Sequence, residues 1–265
     1  MPPKNFTITE INKIKLQQPM EFVFIQAKNQ RFLFQEQDAS PFKHDTSQKI
    51  EFTNDFYLCA FQTTQEFWQL VAKGHSNLAE NPSQFNYPTR PVECISWLDV
   101  QHFLTVLNDL WQTKEGFTLG EANSQKPGGV FQLPSEVQWE YAARGGLEQS
   151  PLLFAGSDQA DDVAWFSRNA NQTTMPVGLK QANALGLHDM SGNVWEWCGN
   201  DFQHISTDGE SGITHAEKTK SLRGGSCWYK AGDCRVRHRF NFHPDFRNIS
   251  IGFRLLFVPS SSTAG

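Results

Sequence analysis

The chain has 265 residues, of which 38% are hydrophobic, 13% aromatic and 19% charged, with a formal net charge of -5. That much apolar mass excludes a disordered chain, and scattered Lys and Arg in an acidic protein exclude the clustered positive charge that nucleic acid requires. No apolar run reaches the roughly 18 residues of a membrane span.

Met1-Pro2-Pro3-Lys4-Asn5-Phe6 lacks the apolar stretch of a signal peptide, so a cytoplasmic address is expected. Cys59, Cys94, Cys198, Cys227 and Cys234 are odd in number, widely spread and without a Cys-x-x-Cys. This fits neither a disulfide scaffold nor a zinc knuckle. The 22 Phe and 8 Trp predict a core built from rings.

Residues 1–20 are polar and read as an arm. Strand formers dominate Glu21 to Ala27, Arg31 to Phe34, Ile50 to Phe52 and Phe56 to Cys59, with a loop expected over Asp38 to Gln48. Helix signals follow. Thr63-x-x-Glu66 reads as a capping box with Gly74 as its stop, Ser96-x-x-Asp99 as a second start and Ser135-x-x-Gln138 as a third. The helices are expected to begin near Thr64, Trp97 and Ser135. Beyond Gly146 turn residues prevail, Asp161-Asp162 reads as a solvated turn, and Ile251 to Phe257 is the clearest late strand. Residues 259–265 read as a mobile tail. Few helices and much ordered loop imply an α+β domain over residues 21–258.

Four segments carry a resemblance. They are Pro91-Val92-Glu93-Cys94-Ile95-Ser96-Trp97, Leu133 to Gly146 (LPSEVQWEYAARGG), Asn183 to Trp197 (NALGLHDMSGNVWEW), and Leu222-Arg223-Gly224-Gly225-Ser226 closed by Ile251-Gly252-Phe253-Arg254. In this order they resemble the formylglycine-generating-enzyme (sulfatase-modifying factor) family. The resemblance implies a C-type lectin-like fold of the formylglycine-generating-enzyme subclass. Ala27 to Phe34 departs from the family's Ala-Gly-x-Phe-x-Met-Gly.

The family's chemistry, oxidation of a protein cysteine, is carried by two copper-binding cysteines five residues apart, the first three residues after Gly-Gly-Ser. Here Tyr229 stands at the first position and Cys234 at the second. Cys227 is seven residues from Cys234 instead of five. An oxidase using Cys227, Cys234 and copper is therefore the alternative reading, as is a catalytically inactive accessory domain. The family can also place calcium near Asn193 and Glu196, where oxygen ligands suit it. The competing reading has Trp195 and Trp197 in the core and Glu196 paired with Arg223 or Arg254. Otherwise no cofactor is expected.

Residues 227–250 keep a frame of Cys234-Arg235, Arg239, Pro244-Asp245, Arg247 and Asn248. Relatives fill the gaps with asparagine; this chain fills them with Phe, Tyr, His, Asp, Ile and Ser. That pattern resembles the variable proteins of diversity-generating retroelements, in which adenine replacement turns an AAC or AAT codon into such residues. Tyr229, Asp233, His238, Phe240, Phe242, His243, Phe246, Ile249 and Ser250 are reachable this way; Asn241 and Asn248 would be unchanged; Trp228 and Lys230 need another codon. Aromatic and Arg residues are typical recognition anchors. The expected binding surface is Trp228, Tyr229, Lys230, Asp233, Arg237, His238, Phe240, Asn241, Phe242, His243, Phe246, Asn248, Ile249 and Ser250. Its expected partner is a protein or cell-surface ligand, and a viral origin would make the chain virion-borne. The competing reading is that alternating Phe240 and Phe242 belong to a half-buried strand.

Overall fold

The computed structural model describes residues 4–36, 46–113, 116–120, 126–203 and 218–260. The chain opens with strands β1 (Phe6–Ile11), β2 (Ile14–Ile25), β3 (Arg31–Glu36), β4 (Thr46–Glu51) and β5 (Phe56–Cys59). Helices α1 (Gln65–Ala72) and α2 (Trp97–Gln112) follow, then β6 (Phe117–Leu119), β7 (Gly129–Gln132), α3 (Glu136–Ala143) and the single turn α4 (Ala160–Val163). Short strands β8 (Ala164–Trp165) and β9 (Ser191–Gly192) lead to β10 (Trp195–Asp201), β11 (Lys220–Arg223), β12 (Arg239–Phe242), β13 (Ile251–Gly252) and β14 (Leu256–Pro259). The molecule is α+β, with long ordered loops between short elements.

The larger sheet has the order β6-β1-β2-β5-β14-β7. Side chains alternate along each strand, so this sheet feeds two cores. Phe6, Phe22, Phe131 and Phe257 pack with Phe67, Trp68, Phe103 and Trp111 of α1 and α2. Val23, Phe56, Leu58 and Leu256 pack instead with Trp139, Tyr141 and Ala142 of α3. Rings build these cores, as the composition predicts: Phe6 stacks on Phe22 at 4.7 Å, and Trp68 on Phe103 at 4.6 Å.

The expected N-terminal arm is a correction. Residues 6–25 form the β1–β2 hairpin, with Phe6, Ile8, Ile11 and Leu16 buried. Their alternation with Thr, Glu and Lys gave a polar composition to a segment whose inner face is apolar. The domain therefore includes this segment. The helix starts near Trp97 and Ser135 have their capping boxes in place, and α1 is capped by Thr64, one residue after Thr63. β4 begins at Thr46, inside the segment expected as loop; residues 37–45 lie outside the described residues. Asp161-Asp162 sits in α4 instead of a plain turn. Pro259 ends β14, and residues 261–265 of the expected tail are outside the described residues.

The smaller sheet has the order β12-β11-β10-β13 and positions the segment of interest. Its register aligns Trp197, Leu222 and Phe240 in one row and Glu196, Arg223 and Arg239 in the next. Successive rows face opposite sides of a sheet. One face of this sheet is therefore aromatic and the other ionic.

Candidate ligand-binding surface

The ionic face is built first, because it holds the backbone. Arg223 is fully buried and its guanidinium donates to Glu140 and to the carbonyls of Val236, Arg237 and His238 at 2.7, 3.3 and 3.1 Å. One fixed side chain thus pins three consecutive peptide groups that lead into β12. Arg239 donates to both oxygens of Glu136 at 2.6 and 2.8 Å. Burial alone would push the Glu136 carboxyl up, but Arg239, Arg223 and the Ser221 hydroxyl together hold it below its ordinary range. Farther along, Arg247 makes a two-pronged bond to Asp99 at 2.7 and 2.8 Å, tying the loop after β12 to the first turn of α2. The carbonyl of Asn248 accepts from Cys94 N at 3.0 Å. Gly225 adopts φ +76°, and a Cβ there would lie 2.7 Å from the Cα of Cys234. A glycine is needed for the chain to fold back this closely.

On the aromatic face Trp195, 1% exposed, forms the floor. Phe240 stacks on it at 5.5 Å, Tyr229 meets it edge-on at 5.5 Å, and His238 lies at 5.7 Å. The rings continue outwards through Phe240–Phe242 at 5.1 Å and Phe242–Phe246 at 4.0 Å. Tyr229, Phe240, Phe242 and Phe246 are half-buried: each packs against the core and keeps part of its surface in solvent.

The expected residues separate by depth. Trp228, Lys230 and His243 are exposed, and Tyr229, Asp233, Arg237, His238, Phe240, Asn241, Phe242, Phe246, Asn248 and Ile249 are half-buried. Ser250 is a correction: it is buried, with its backbone N–H and hydroxyl both bonded to Asn248 Oδ1 at 3.0 and 2.7 Å. It belongs to the frame and presents nothing to solvent. Asn241 lies in the row of Ser221, so it shares the ionic side of β12 and not the side of Phe240. Trp195 was expected in the core. It is buried, but as the floor of the surface; no local signal marks that role, because it arises from pairing of Trp195 with Ile251 across the sheet.

The calcium expectation does not fit the donor set. Both oxygens of Glu196 are taken: Oε1 by Arg254 and Gln62 at 2.9 and 3.0 Å, Oε2 by Arg254 and Trp139 at 3.1 and 2.7 Å. Asn193 exchanges both of its amide atoms with the backbone of Met175. The copper pair lacks its first member, since Tyr229 stands where the family's first copper-binding cysteine would be. Cys227 and Cys234 are fully buried, and burial pushes each thiol up to about 12. A thiolate is what binds copper and reacts. Cys234 packs with Phe154, Val163 and Phe166, whereas Cys198 packs in a different cluster with Trp139 and Tyr141.

A family model described as "Sulfatase-modifying factor enzyme 1-like domain" matches residues 9–258. The chaperone protein LppX of Paenibacillus barcinonensis is 29% identical over 199 residues, covering 62% of this chain and 69% of that protein. The formylglycine-generating enzyme of Thermomonospora curvata is 26% identical over 218 residues, covering 75% of this chain and 61% of the enzyme. The matched segments thus span 69% and 61% of the length of these two relatives. Among solved structures, Treponema denticola variable protein 1 superposes with a TM-score of 0.74 at 25% identity, covering 97% of this chain and all of that one. The fold is C-type lectin-like, shared with that variable protein. No helix among the described residues is long and apolar enough to cross a membrane.

Proposed function

The chain belongs to the sulfatase-modifying factor enzyme 1-like family, and on that premise we propose that it is a non-enzymatic binding protein, with a recognition surface formed by residues 228–249. The observation that carries the reading is the division between the two faces of the small sheet. Arg223, Arg239, Arg247 and Arg254 satisfy backbone and carboxylate partners on their own, without help from the interspersed rings. The rings of Tyr229 and Phe240 lie on Trp195, Phe242 and Phe246 continue the row outwards, and all four stay partly exposed, as an anchor patch requires. A rigid scaffold carrying replaceable side chains suits a diversified surface of the retroelement kind. Likeness to a variable protein over nearly the whole chain supports this. The copper oxidase reading is not favoured, since Tyr229 stands at the first cysteine position and Cys227 is seven residues from Cys234 instead of five.

The test is sequencing of the locus in related isolates. The expected result is a near-copy of the segment encoding residues 227–250, with adenines at the differing positions, next to a reverse transcriptase gene. Substitutions should gather at Tyr229, Phe240, Phe242, His243 and Phe246 and spare Arg223, Arg239 and Arg254. Variation spread evenly over frame and fill, with no such copy, contradicts the reading.

A further inference from the structure

Among the described residues strand β12 stands at the end of its sheet, paired on one side only, with β11. In an antiparallel pair alternate residues turn their N–H and C=O away from the neighbour. Apart from the β11 ladder, Phe240, Asn241 and Phe242 make no backbone hydrogen bond among the described residues. An open edge of this kind is a template for one more strand.

The charges around the edge lean positive. Asp233 faces the His238 ring at 3.8 Å and Asp245 pairs with His243 at 2.5 Å, but burial lowers the His238 pKa, so Asp233 keeps its negative charge. The neighbouring carboxylates Glu136 and Asp99 are bound by Arg239 and Arg247. By contrast Lys230, Arg235 and Arg237 have no carboxylate partner among the described residues. Arg235 Nε is buried without a hydrogen-bond acceptor. Two of these three cations immediately precede β12, in a protein whose net charge is -5. Beside the edge, Phe242 and Phe246 form a stacked pair, and Leu98, 45% exposed, donates its backbone N–H to the carbonyl of Pro244 in the loop between them.

Resting on the recognition reading above, we infer that the surface takes an extended acidic segment of a partner protein, which adds as a strand to the open edge of β12. Backbone bonds to Phe240–Phe242 supply affinity. Apolar side chains on one face of the added strand meet the Phe240 and Phe242 rings, while carboxylates answer Lys230, Arg235 and Arg237. A protein segment is favoured over a glycan because the rings nearest the edge are Phe, which offer apolar area and no hydroxyl, and because a free strand edge is specific for peptide backbone.

The experiment is panning of a phage-displayed library of random linear peptides against the full chain. Enriched peptides should alternate apolar and acidic residues. They should lose binding when alternate peptide N–H groups are methylated. Joint Arg235→Glu and Arg237→Glu should weaken them about tenfold, with association rate and salt dependence changing most. An Arg235→Lys, Arg237→Lys protein keeps the charge and should bind nearly as the parent does, which separates charge from folding. No enrichment, or enriched peptides indifferent to N-methylation and to charge reversal, overturns the inference. Glycan-array binding abolished by Phe242→Ser, without peptide enrichment, also overturns it but leaves the recognition reading standing. A locus lacking template and variation sinks the diversification reading while leaving the peptide result to be judged on its own.

Discussion

Arg254 has no exposure to solvent, and its charge is answered by Glu196 and by the carbonyls of Cys59 and His188 at 2.9 and 2.7 Å. Glu196 in turn accepts from Trp139 and Gln62, so a single carboxylate joins β10, α3 and the chain before α1. Such a pair is weak evidence for net stability, yet removing one partner strands the other in a dry interior. Glu196→Ala should therefore cost about 3–5 kcal/mol in urea denaturation. A cost below about 1 kcal/mol would mean that water reaches Arg254 and that this face is not dry. This residue was legible in part: the sequence offered calcium or an arginine as its partner, and the arginine is found. Its two further hydrogen bonds were not legible, because Gln62 and Trp139 lie far away along the chain.

Asp99 shows how one element serves the surface. It closes the capping box of α2, accepting from Ser96 N at 2.8 Å, and the same carboxylate holds Arg247. Burial pushes its carboxyl up, but Arg247 and Ser96 outweigh this and hold it below the ordinary 3.8. A carboxylate depressed in the folded state adds stability above its ordinary pKa, and the gain is lost as pH falls through the folded value. Asp99→Ala should cost about 1–2 kcal/mol at neutral pH, mostly from the lost cap, since the exposed Arg247 pair is worth little. Guanidinium melts should show the gap between parent and variant closing below about pH 4. A gap that persists unchanged in acid would exclude an ionised cap. Capping chemistry is local, which is why the starts of α2 and α3 were readable from four residues each. β8 and β9, two residues each, carry no periodicity to read and exist only through their pairing with one another. The β1–β2 hairpin was hidden for a different reason: Thr7, Thr9 and Glu10 alternate with Ile8 and Ile11, and polar composition masked a buried stripe.

Across the whole molecule, work is split between the two faces of the small sheet. The ionic face fixes the path of the chain, with Arg223 alone holding three carbonyls before β12. The aromatic face ends in half-covered rings and in the exposed Trp228. Of the arginines the sequence singled out in residues 227–250, Arg239 and Arg247 are tied to Glu136 and Asp99. Depth was not legible: nothing local distinguishes the buried Ser250 from the half-buried Ile249. The most direct test is calorimetric melting of one protein carrying Trp228→Ser, Lys230→Ser, His243→Ser and Phe246→Ser together. Changes at exposed sites usually stay within about 0.5 kcal/mol each, and 1 kcal/mol moves the midpoint of a chain this size by about 2–4 °C. The expected result is a single cooperative transition displaced by no more than about 10 °C, most of it from the Phe246 stack on Phe242. Loss of the cooperative transition, or a collapse like that expected of Arg223→Ala, would show that the displayed side chains hold the fold and would contradict the account.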